Sequence, residues 1–267
     1  MITFMQNKFQ QSLGQATVPI GTWLMSASAT CAEAVAWTGL DFVVVDMEHV
    51  PLELPDVIDI HRALAATPVG TITRVPWNDA VVVKRVLDAG VQTLMFPMIR
   101  TPEEAAAAVR ATRYPPRGER GVAAMHRASR YGAASDYLLK SGPELMVIVQ
   151  IETEASYARL DEIAAVEGVD AIFIGPGDLA ASLGHLGNVA HPQVQALVRA
   201  APAQCHRLGR KAGTVMPNAD LARGCIDSGY DFVAIGSDMA SMTAGIRAQL
   251  ASLQRRPPEA ASSASAY

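Results

Sequence analysis

The chain has 267 residues, half of them apolar, and a formal net charge of −4. It has no basic block and no basic residues interleaved with aromatic ones, which argues against nucleic acid or a membrane surface as a partner. No run of about 18 or more apolar residues is present to span a bilayer. The length fits one barrel of about 250 residues as well as two smaller domains.

The cysteines and the N-terminus indicate a cytoplasmic protein. Residues Met1–Gly14 are polar and lack the apolar core of a secretory signal. The cysteines, Cys31, Cys205 and Cys225, are odd in number and lack C-x-x-C spacing. We expect them to be reduced, buried small residues, as is usual in the cytosol.

Eight short apolar runs, rich in β-branched residues, predict eight strands. In chain order they are Pro19–Leu24, Phe42–Val45, Gly70–Arg74, Thr93–Pro97, Met146–Ile151, Ala171–Ile174, Lys211–Val215 and Phe232–Ile235. Helical patterns follow the strands at Thr30–Trp37, Leu54–Ala65, Asp79–Asp88, Pro102–Arg113, Glu154–Ala165, Pro192–Leu208, Ala219–Asp227 and Met239–Gln254. Glycines 39, 168 and 229 follow helices directly and suit the left-handed conformation at a helix end. Eight such βα units predict an α/β fold, a (β/α)8 TIM barrel.

We assign a single barrel domain to residues 18–254, with an N-terminal segment at 1–17 and a disordered Pro-, Ala- and Ser-rich tail at 255–267. A doubly wound Rossmann sheet is the structural alternative, but no G-x-G-x-x-G follows the first strand. Residues Tyr114–Gly132 interrupt the βα rhythm with two prolines and several arginines. This insertion is interpreted as a lid or a subunit contact, and a solvated loop is an equal alternative.

Four of the predicted strands run into ionisable residues. One strand leads into Asp46-Met47-Glu48-His49, the next ends at Arg74, and later strands run into Glu152 and Asp178. In a parallel α/β barrel, the groups just past the strand ends converge on one mouth, where such enzymes keep their chemistry. One imidazole, one guanidinium and two carboxylates are therefore predicted to share a reaction centre.

Glu152 and Asp178 suit a hard divalent cation, which prefers oxygen ligands and leaves positions open for water or substrate. The alternative is that each carboxylate caps the helix after it. Capping competes seriously at Asp178, and less so at Glu152, because Thr153 and Glu154 can serve the next helix. With His49 and Arg74 nearby, metal binding is the preferred interpretation.

His49 and Arg74 are the candidate proton-transfer and oxyanion-binding groups. Histidine is the usual residue for moving a proton near neutral pH, and an acidic neighbour such as Asp46 or Glu48 fixes its tautomer. Arg74 offers a permanent charge and a fork of donors for a carboxylate or a developing oxyanion. A salt bridge from Arg74 to Asp46 or Glu152 is compatible with that role.

The lysines argue against a Schiff base. Lys8, Lys84, Lys140 and Lys211 are the only four, and none ends a strand at the mouth. No G-x-S-x-G elbow is present, and Cys31 has no neighbouring base. Covalent catalysis therefore loses its best candidates.

Several ordered stretches resemble the HpcH/HpaI aldolases, a family of class II, metal-dependent pyruvate aldolases. They are Asp46-Met47-Glu48-His49, Arg74-Val75-Pro76-Trp77-Asn78-Asp79, Ala111-Thr112-Arg113-Tyr114-Pro115-Pro116, Gly121-Val122, Arg127-Ala128-Ser129-Arg130, Val149-Gln150-Ile151-Glu152-Thr153, Gly168-Val169-Asp170 and Ile174-Gly175-Pro176-Gly177-Asp178-Leu179. The resemblance runs from about Gly21 to Ile246, and its combination of motifs is highly specific.

The resemblance implies reversible aldol cleavage of a 4-hydroxy-2-oxo acid to pyruvate and an aldehyde. Under it, Glu152 and Asp178 hold Mg²⁺, Mn²⁺ or Co²⁺, Arg74 steadies the enolate oxygen, and His49 is the general base. Asp88 matches an acid that raises the basicity of this histidine, although the pattern places Asp88 at a helix end. By the same resemblance, Gln150, Gly177 and the backbone beside Asp178 contact the substrate.

The resemblance also implies a homo-oligomer, a hexamer, to which the apolar helix Met239–Leu253 contributes a subunit contact. Met47 and Gly177 depart from the residues common in the family at positions that border the site. Two other functions stay open at this point. One is a malyl-CoA or citrate lyase-like carbon–carbon lyase, and the other is a non-catalytic protein that binds 2-oxo acids.

Overall fold

The computed structural model describes residues 6–255. Its strands are β1 (Ile20–Leu24), β2 (Phe42–Asp46), β3 (Gly70–Arg74), β4 (Thr93–Phe96), β5 (Met146–Ile151), β6 (Ala171–Ile174), β7 (Lys211–Met216) and β8 (Phe232–Ser237). They pair in parallel and in chain order, and β1 pairs with β8, which closes the barrel. The (β/α)8 fold expected from the sequence is confirmed, with strand limits within two residues of those predicted.

The helices of the described residues are more numerous than the sequence pattern predicts. They are α1 (Lys8–Ser12), α2 (Ala29–Ala36), α3 (Leu54–Ala65), α4 (Ala80–Asp88), α5 (Pro102–Thr112), α6 (Tyr137–Lys140), α7 (Glu154–Ala158), α8 (Leu160–Ala164), α9 (Pro176–Ser182), α10 (Pro192–Arg207), α11 (Ala219–Asp227) and α12 (Asp238–Ser252). The additional helices α1, α6 and α9 are too short to show a clear 3.6-residue period. The single helix predicted over Glu154–Ala165 is divided at Arg159 into α7 and α8.

Aromatic rings fill the inside of the barrel. Phe42, Phe173 and Phe232 are fully buried there, and the ring of Phe232 packs against those of the other two. A side chain at Gly213 would collide with the ring of Phe232, so this glycine makes room for the aromatic layer. The interior is therefore a packed core, and only its two ends are open to ligands.

Helix α1 closes the base of the barrel, the end opposite the carboxyl ends of the strands. Phe9 is fully buried, and its ring centroid lies 5.2 Å from that of Phe42 and 5.1 Å from that of Phe232. A Cβ at Gly70 would lie 2.6 Å from the backbone of Phe9. Part of the N-terminal segment thus packs into the barrel, whereas the tail after Arg255 lies outside the described residues.

The insertion Tyr114–Gly132 packs against the base. Arg120 is fully buried and donates to Asp88, and Arg127 donates to the carbonyl of Ala89, both at the C-terminal end of α4. None of its residues lines the cavity at the mouth, so it is not a lid over the mouth of its own chain.

Two of the three cysteines are buried as expected, Cys205 and Cys225. The expectation was wrong for Cys31, which is exposed near the start of α2. Within residues 6–255, no helix is long and apolar enough to cross a bilayer.

Candidate active site

The mouth of the barrel contains a cavity of about 200 Å³. Seven predicted site residues line it together, namely Asp46, His49, Arg74, Gln150, Glu152, Gly177 and Asp178. Five of them stand on β2, β3 and β5 or shortly after these strands, and Gly177 and Asp178 lie in the first turn of α9, which follows β6. The convergence expected at the carboxyl ends of the strands is therefore present. None of the four lysines lines this cavity.

Arg74 is buried at the end of β3 and held from several directions. Its Nε and Nη2 donate to the two carboxylate oxygens of Asp46 at 2.9 and 2.7 Å. The guanidinium lies over the ring of Trp23, 4.2 Å from its centroid. Asp46 and Arg74 are register partners on adjacent strands, so the sheet itself aligns this bidentate pair. The pair fixes the guanidinium at the mouth, and this salt bridge is compatible with the oxyanion-binding role expected from the sequence.

Burial acts to lower the pKa of Arg74, but the hydrogen bonds and charge of Asp46, followed by the charges of Glu48 and Glu152, raise it above its usual value. Arg74 is accordingly a permanent cation. Its Nη1 faces the remaining polar groups, 3.5 Å from Oε1 of Gln150 and 2.9 Å from Oε2 of Glu48. The contact with Glu48 is at ion-pair distance but lacks hydrogen-bond geometry.

Glu152 is a buried carboxylate with few neutralising partners. The backbone N–H of Met98 donates to its Oε1 at 2.6 Å, and the amide of Gln150 donates to its Oε2 at 2.9 Å. Burial raises the pKa of Glu152 to about 7, and the charges of Glu48 and Asp178 add to this, while the Met98 N–H and Arg74 oppose it. The carboxylate thus lies where negative charge is in excess.

The space around Glu152 depends on a glycine. A Cβ at Gly175 would lie 2.7 Å from Oε2 of Glu152 and 2.9 Å from its Cβ. Met98, which donates to the other oxygen, has a φ of 53°, a left-handed conformation that is uncommon for a residue with a side chain. The turns after β4 and β6 therefore hold Glu152 from both sides.

His49 stands at the rim of the mouth, with about half of its side chain exposed (48%). Its Nε2 lies 3.9 Å from Oε2 of Glu48. Asp46 instead accepts hydrogen bonds from the backbone N–H groups of Glu48, at 3.0 Å, and His49, at 3.4 Å. The acidic side chain beside the imidazole is therefore that of Glu48, while Asp46 orders the turn and binds Arg74.

Glu48 is the site residue that sequence reasoning undervalued. Burial raises its pKa, and the charges of Arg74 and His49 oppose this rise. The signal in the sequence was its position between Asp46 and His49, but the pattern alone did not show that its side chain turns toward Arg74.

Asp88 is the predicted catalytic residue that the structure does not bring to this mouth. It ends α4 at the base, where its Oδ1 accepts from Nη2 of Arg120 at 2.7 Å and lies 3.7 Å from Nε2 of His126. Its assignment to catalysis rests on the resemblance alone.

The sequence profile of the HpcH/HpaI aldolase/citrate lyase family matches residues 19–244. The chain belongs to this family. A 2-dehydro-3,6-dideoxy-6-sulfogluconate aldolase of Pseudomonas putida is 46% identical over 94% of this chain and 99% of its own. A 4-hydroxy-2-oxo-heptane-1,7-dioate aldolase of Klebsiella pneumoniae is 42% identical over 91% of this chain and 92% of its own. Among solved structures, a family member from Burkholderia cenocepacia superposes with a TM-score of 0.89 at 38% identity, covering 94% of this chain and 100% of that one.

The protein is accordingly an aldolase, a carbon–carbon lyase. Within the described part of this aldolase, no group of three or more His, Cys, Asp or Glu side chains is placed to bind a metal. Two carboxylates are nevertheless a sufficient protein contribution for a hard cation that takes its other ligands from water and substrate.

Glu152 and Asp178 differ in their relation to the helices that follow them. Thr153, not Glu152, caps α7, and its side chain accepts from the N–H of Ser156. The N-cap of α9 is Gly175, where no side-chain capping hydrogen bond forms. Glu152 is therefore not committed to a helix end, whereas Asp178 lies in the first turn of α9, where its charge also favours the helix N-terminus. Both positions are compatible with binding a divalent cation.

Proposed function

We propose that this aldolase reversibly cleaves a 4-hydroxy-2-oxo acid to pyruvate and an aldehyde with the help of Mg²⁺, Mn²⁺ or Co²⁺. The substrate is of the 4-hydroxy-2-oxoheptanedioate or 2-keto-3-deoxy sugar acid type, in keeping with the names of the relatives. The observation that carries the proposal is the pairing of Glu152 and Asp178 with Arg74 in a mouth that no lysine lines.

Glu152 and Asp178 would hold the cation, which when bound supplies a Lewis acid for the 2-oxo group. Because burial raises the pKa of Glu152 to about 7, a large fraction of the free protein carries a proton on this carboxyl near neutral pH. Loading a cation requires that proton to leave. Gln150 and the backbone at Gly177 and Asp178 bind and orient the carboxylate of the substrate.

His49 starts the cleavage by taking the proton of the C4 hydroxyl. As the C3–C4 bond breaks, C4 becomes the aldehyde carbonyl and the electron pair passes to the pyruvate part as an enolate. Arg74 places its fixed positive charge beside the enolate oxygen. The nearby carboxylate of Glu48 stabilises the protonated His49, which can then return the proton to C3 and yield pyruvate.

The proposal includes a homo-oligomer, a hexamer in the cytoplasm. Helix α12 has no buried residue, and Met239, Met242 and Ile246 are exposed along it. On the strands that α12 would cover in a closed barrel, Ile20 and Ile235 are only partly buried. A second copy is the occupant that suits this unpartnered apolar helix. Light scattering at micromolar concentration tests the assembly, and a monomer alone would contradict it.

A lyase acting on coenzyme A thioesters is less well supported. Such an enzyme needs cationic groups for the phosphates beside its mouth, and the arginine-rich insertion lies at the base instead. A non-catalytic binding protein would not need His49 at the rim of the site.

Pyruvate release from a panel of 4-hydroxy-2-oxo acids tests the function. We expect activity that chelation removes and that Mg²⁺, Mn²⁺ or Co²⁺ restores. Treatment with borohydride and pyruvate should leave the protein unlabelled, because no imine is present to be reduced. A chelator-resistant enzyme that borohydride labels on a lysine would overturn the proposal.

A further inference from the structure

A second cavity, of about 650 Å³, lies at the base of the barrel, far from the strand ends that carry the active site. Its walls come from α1, from α3, from the first residues of β3, from the turn before β4 and from the insertion. The lining residues that carry the argument are Lys8, His61, Arg127 and Arg130.

The charged groups of this base cavity all have one sign. Lys8, Arg127 and Arg130 line it, and no Asp or Glu does. In the described part of the chain, none of these three cations has a carboxylate within ion-pair distance. Glu144, an acid near this end, is engaged by the backbone N–H of Asn7 and does not line the cavity.

Backbone carbonyls anchor two of the cations without neutralising them. Nζ of Lys8 donates to the carbonyls of Ala65 and Thr67 at the end of α3. Nη1 of Arg127 donates to the carbonyl of Ala89 at the end of α4, at 2.8 Å. A helix C-terminus carries only about half of a negative charge. Positive charge therefore remains in excess around the cavity.

Neighbouring basic groups repel one another here. Burial, followed by the charge of Arg127, lowers the pKa of His61 to about 3. Burial, followed by the charge of Arg62, lowers the pKa of Arg127. Cations held together at reduced dielectric are stabilised when an anion enters between them.

We propose that the base cavity is a second binding site, specific for a small di- or trivalent oxyanion such as a phosphate ester or a polycarboxylate. Arg127 and Arg130 supply its forked donors and Lys8 supplies a third charge. The volume suits a small metabolite, because ligand pockets of this size accept molecules larger than a single ion. This site is independent of the aldol reaction at the mouth.

Isothermal titration tests the proposal, with inorganic phosphate and succinate as separate probes and sodium chloride at matched ionic strength as the reference. Arg127→Gln should weaken binding of the preferred anion about tenfold or more, since a charge-assisted hydrogen bond is lost. Arg130→Gln should weaken it as well, and this variant breaks no hydrogen bond of the fold. Arg223→Gln, on the exposed face of α11, is the matched control and should bind as the parent does.

The two probes distinguish the ligand class: tighter phosphate binding indicates a phosphate ester, and tighter succinate binding indicates a polycarboxylate. Binding of neither probe above the chloride reference would overturn the proposal. So would equal affinities in Arg130→Gln and the control, even if Arg127→Gln fails to fold.

Discussion

The two ends of this barrel carry excess charge of opposite sign, negative at the mouth and positive at the base. At the mouth, burial raises the pKa of Glu152 to about 7, the charges of Glu48 and Asp178 add to this, and the N–H of Met98 and the charge of Arg74 oppose it only in part. At the base, the charged residues that line the cavity are all cations. Like charges at reduced dielectric destabilise a fold unless a ligand of opposite charge enters. Under the two proposals, charge left unbalanced inside an otherwise well-paired protein marks where a ligand binds.

The two ends also differ in how their charges are held. The mouth residues stand on strand ends or shortly after them, and the register of the sheet fixes the Asp46–Arg74 pair. The base residues stand on α1 and on an irregular segment, anchored to helix ends. A rigid frame suits chemistry, which depends on geometry to within fractions of an ångström, whereas binding an anion tolerates more variation.

The largest effect should follow from removing the proton carrier at the mouth. We expect His49→Ala to slow cleavage by roughly 10² to 10⁴-fold, which is the usual contribution of a general base. Its Mn²⁺ affinity should stay near that of the parent, because the carboxylates are unchanged. Steady-state rates and Mn²⁺ titration check the two halves of this prediction. If the variant loses the metal instead, His49 is a ligand and the assigned roles are wrong.

Arg74→Lys should have the second largest effect, a loss in turnover of roughly a hundredfold or more, by analogy with the loss of one oxyanion donor. An ammonium keeps the charge but cannot make the bidentate contact with Asp46 and still face the substrate. Arg223→Lys on the surface serves as the control for the same exchange. A near-normal turnover number in Arg74→Lys would show that Arg74 only forms a salt bridge.

Gly175→Ala should lower metal affinity by about tenfold to a hundredfold, the range for groups that orient a ligand. The added Cβ would meet Oε2 of Glu152 at 2.7 Å and push the carboxylate from its place. Gly142→Ala is the matched control, because a Cβ there meets nothing within 4 Å. Competition with a fluorescent chelator measures both affinities. Equal metal affinities in Gly175→Ala and Gly142→Ala would mean that the turn after β6 moves and that Glu152 keeps its position.

The smallest effect concerns stability near the base. Burial, with the charge of Arg127, lowers the pKa of His61 to about 3, so the unfolded chain binds a proton there between about pH 6.5 and 3 and the folded chain does not. The free energy of unfolding should therefore decrease as the pH is lowered through this window, by about 1 kcal/mol per pH unit. Urea unfolding at pH 6.5 and 5.5 should show a smaller loss in His61→Gln than in the parent. Equal losses of stability in the parent and in His61→Gln would mean that another group causes the acid sensitivity.

The sequence predicted the mouth well for a physical reason. Strand ends of a parallel barrel converge whatever the details of packing, so Arg74, Glu152 and Asp178 could be brought together from their position after apolar runs alone. Side-chain direction could not be obtained in that way. The side chain of Glu48 lies beside His49, because the register of β2 with β3 pairs Asp46 with Arg74 instead. This side-chain geometry has no signature in the sequence pattern.

The base was less predictable. Helix α1 has five residues, too few for a periodic signal, yet Phe9 closes the barrel. The insertion has no regular structure, so its arginines could not be assigned to either end of the barrel from spacing. Contacts such as that of Arg127 with the carbonyl of Ala89 place these arginines at the base.

The central claim is that the acidic mouth holds a divalent cation, and Mn²⁺ binding followed by electron paramagnetic resonance tests it most directly. The titration is made at pH 8, where Glu152 has lost its proton. The account predicts one site per chain in the parent, weakened in Glu152→Gln and in Asp178→Asn more than in Gly175→Ala, and unchanged in the surface control Glu103→Gln. A parent that binds no Mn²⁺, or variants of Glu152 and Asp178 that bind it as the parent does, would contradict the account.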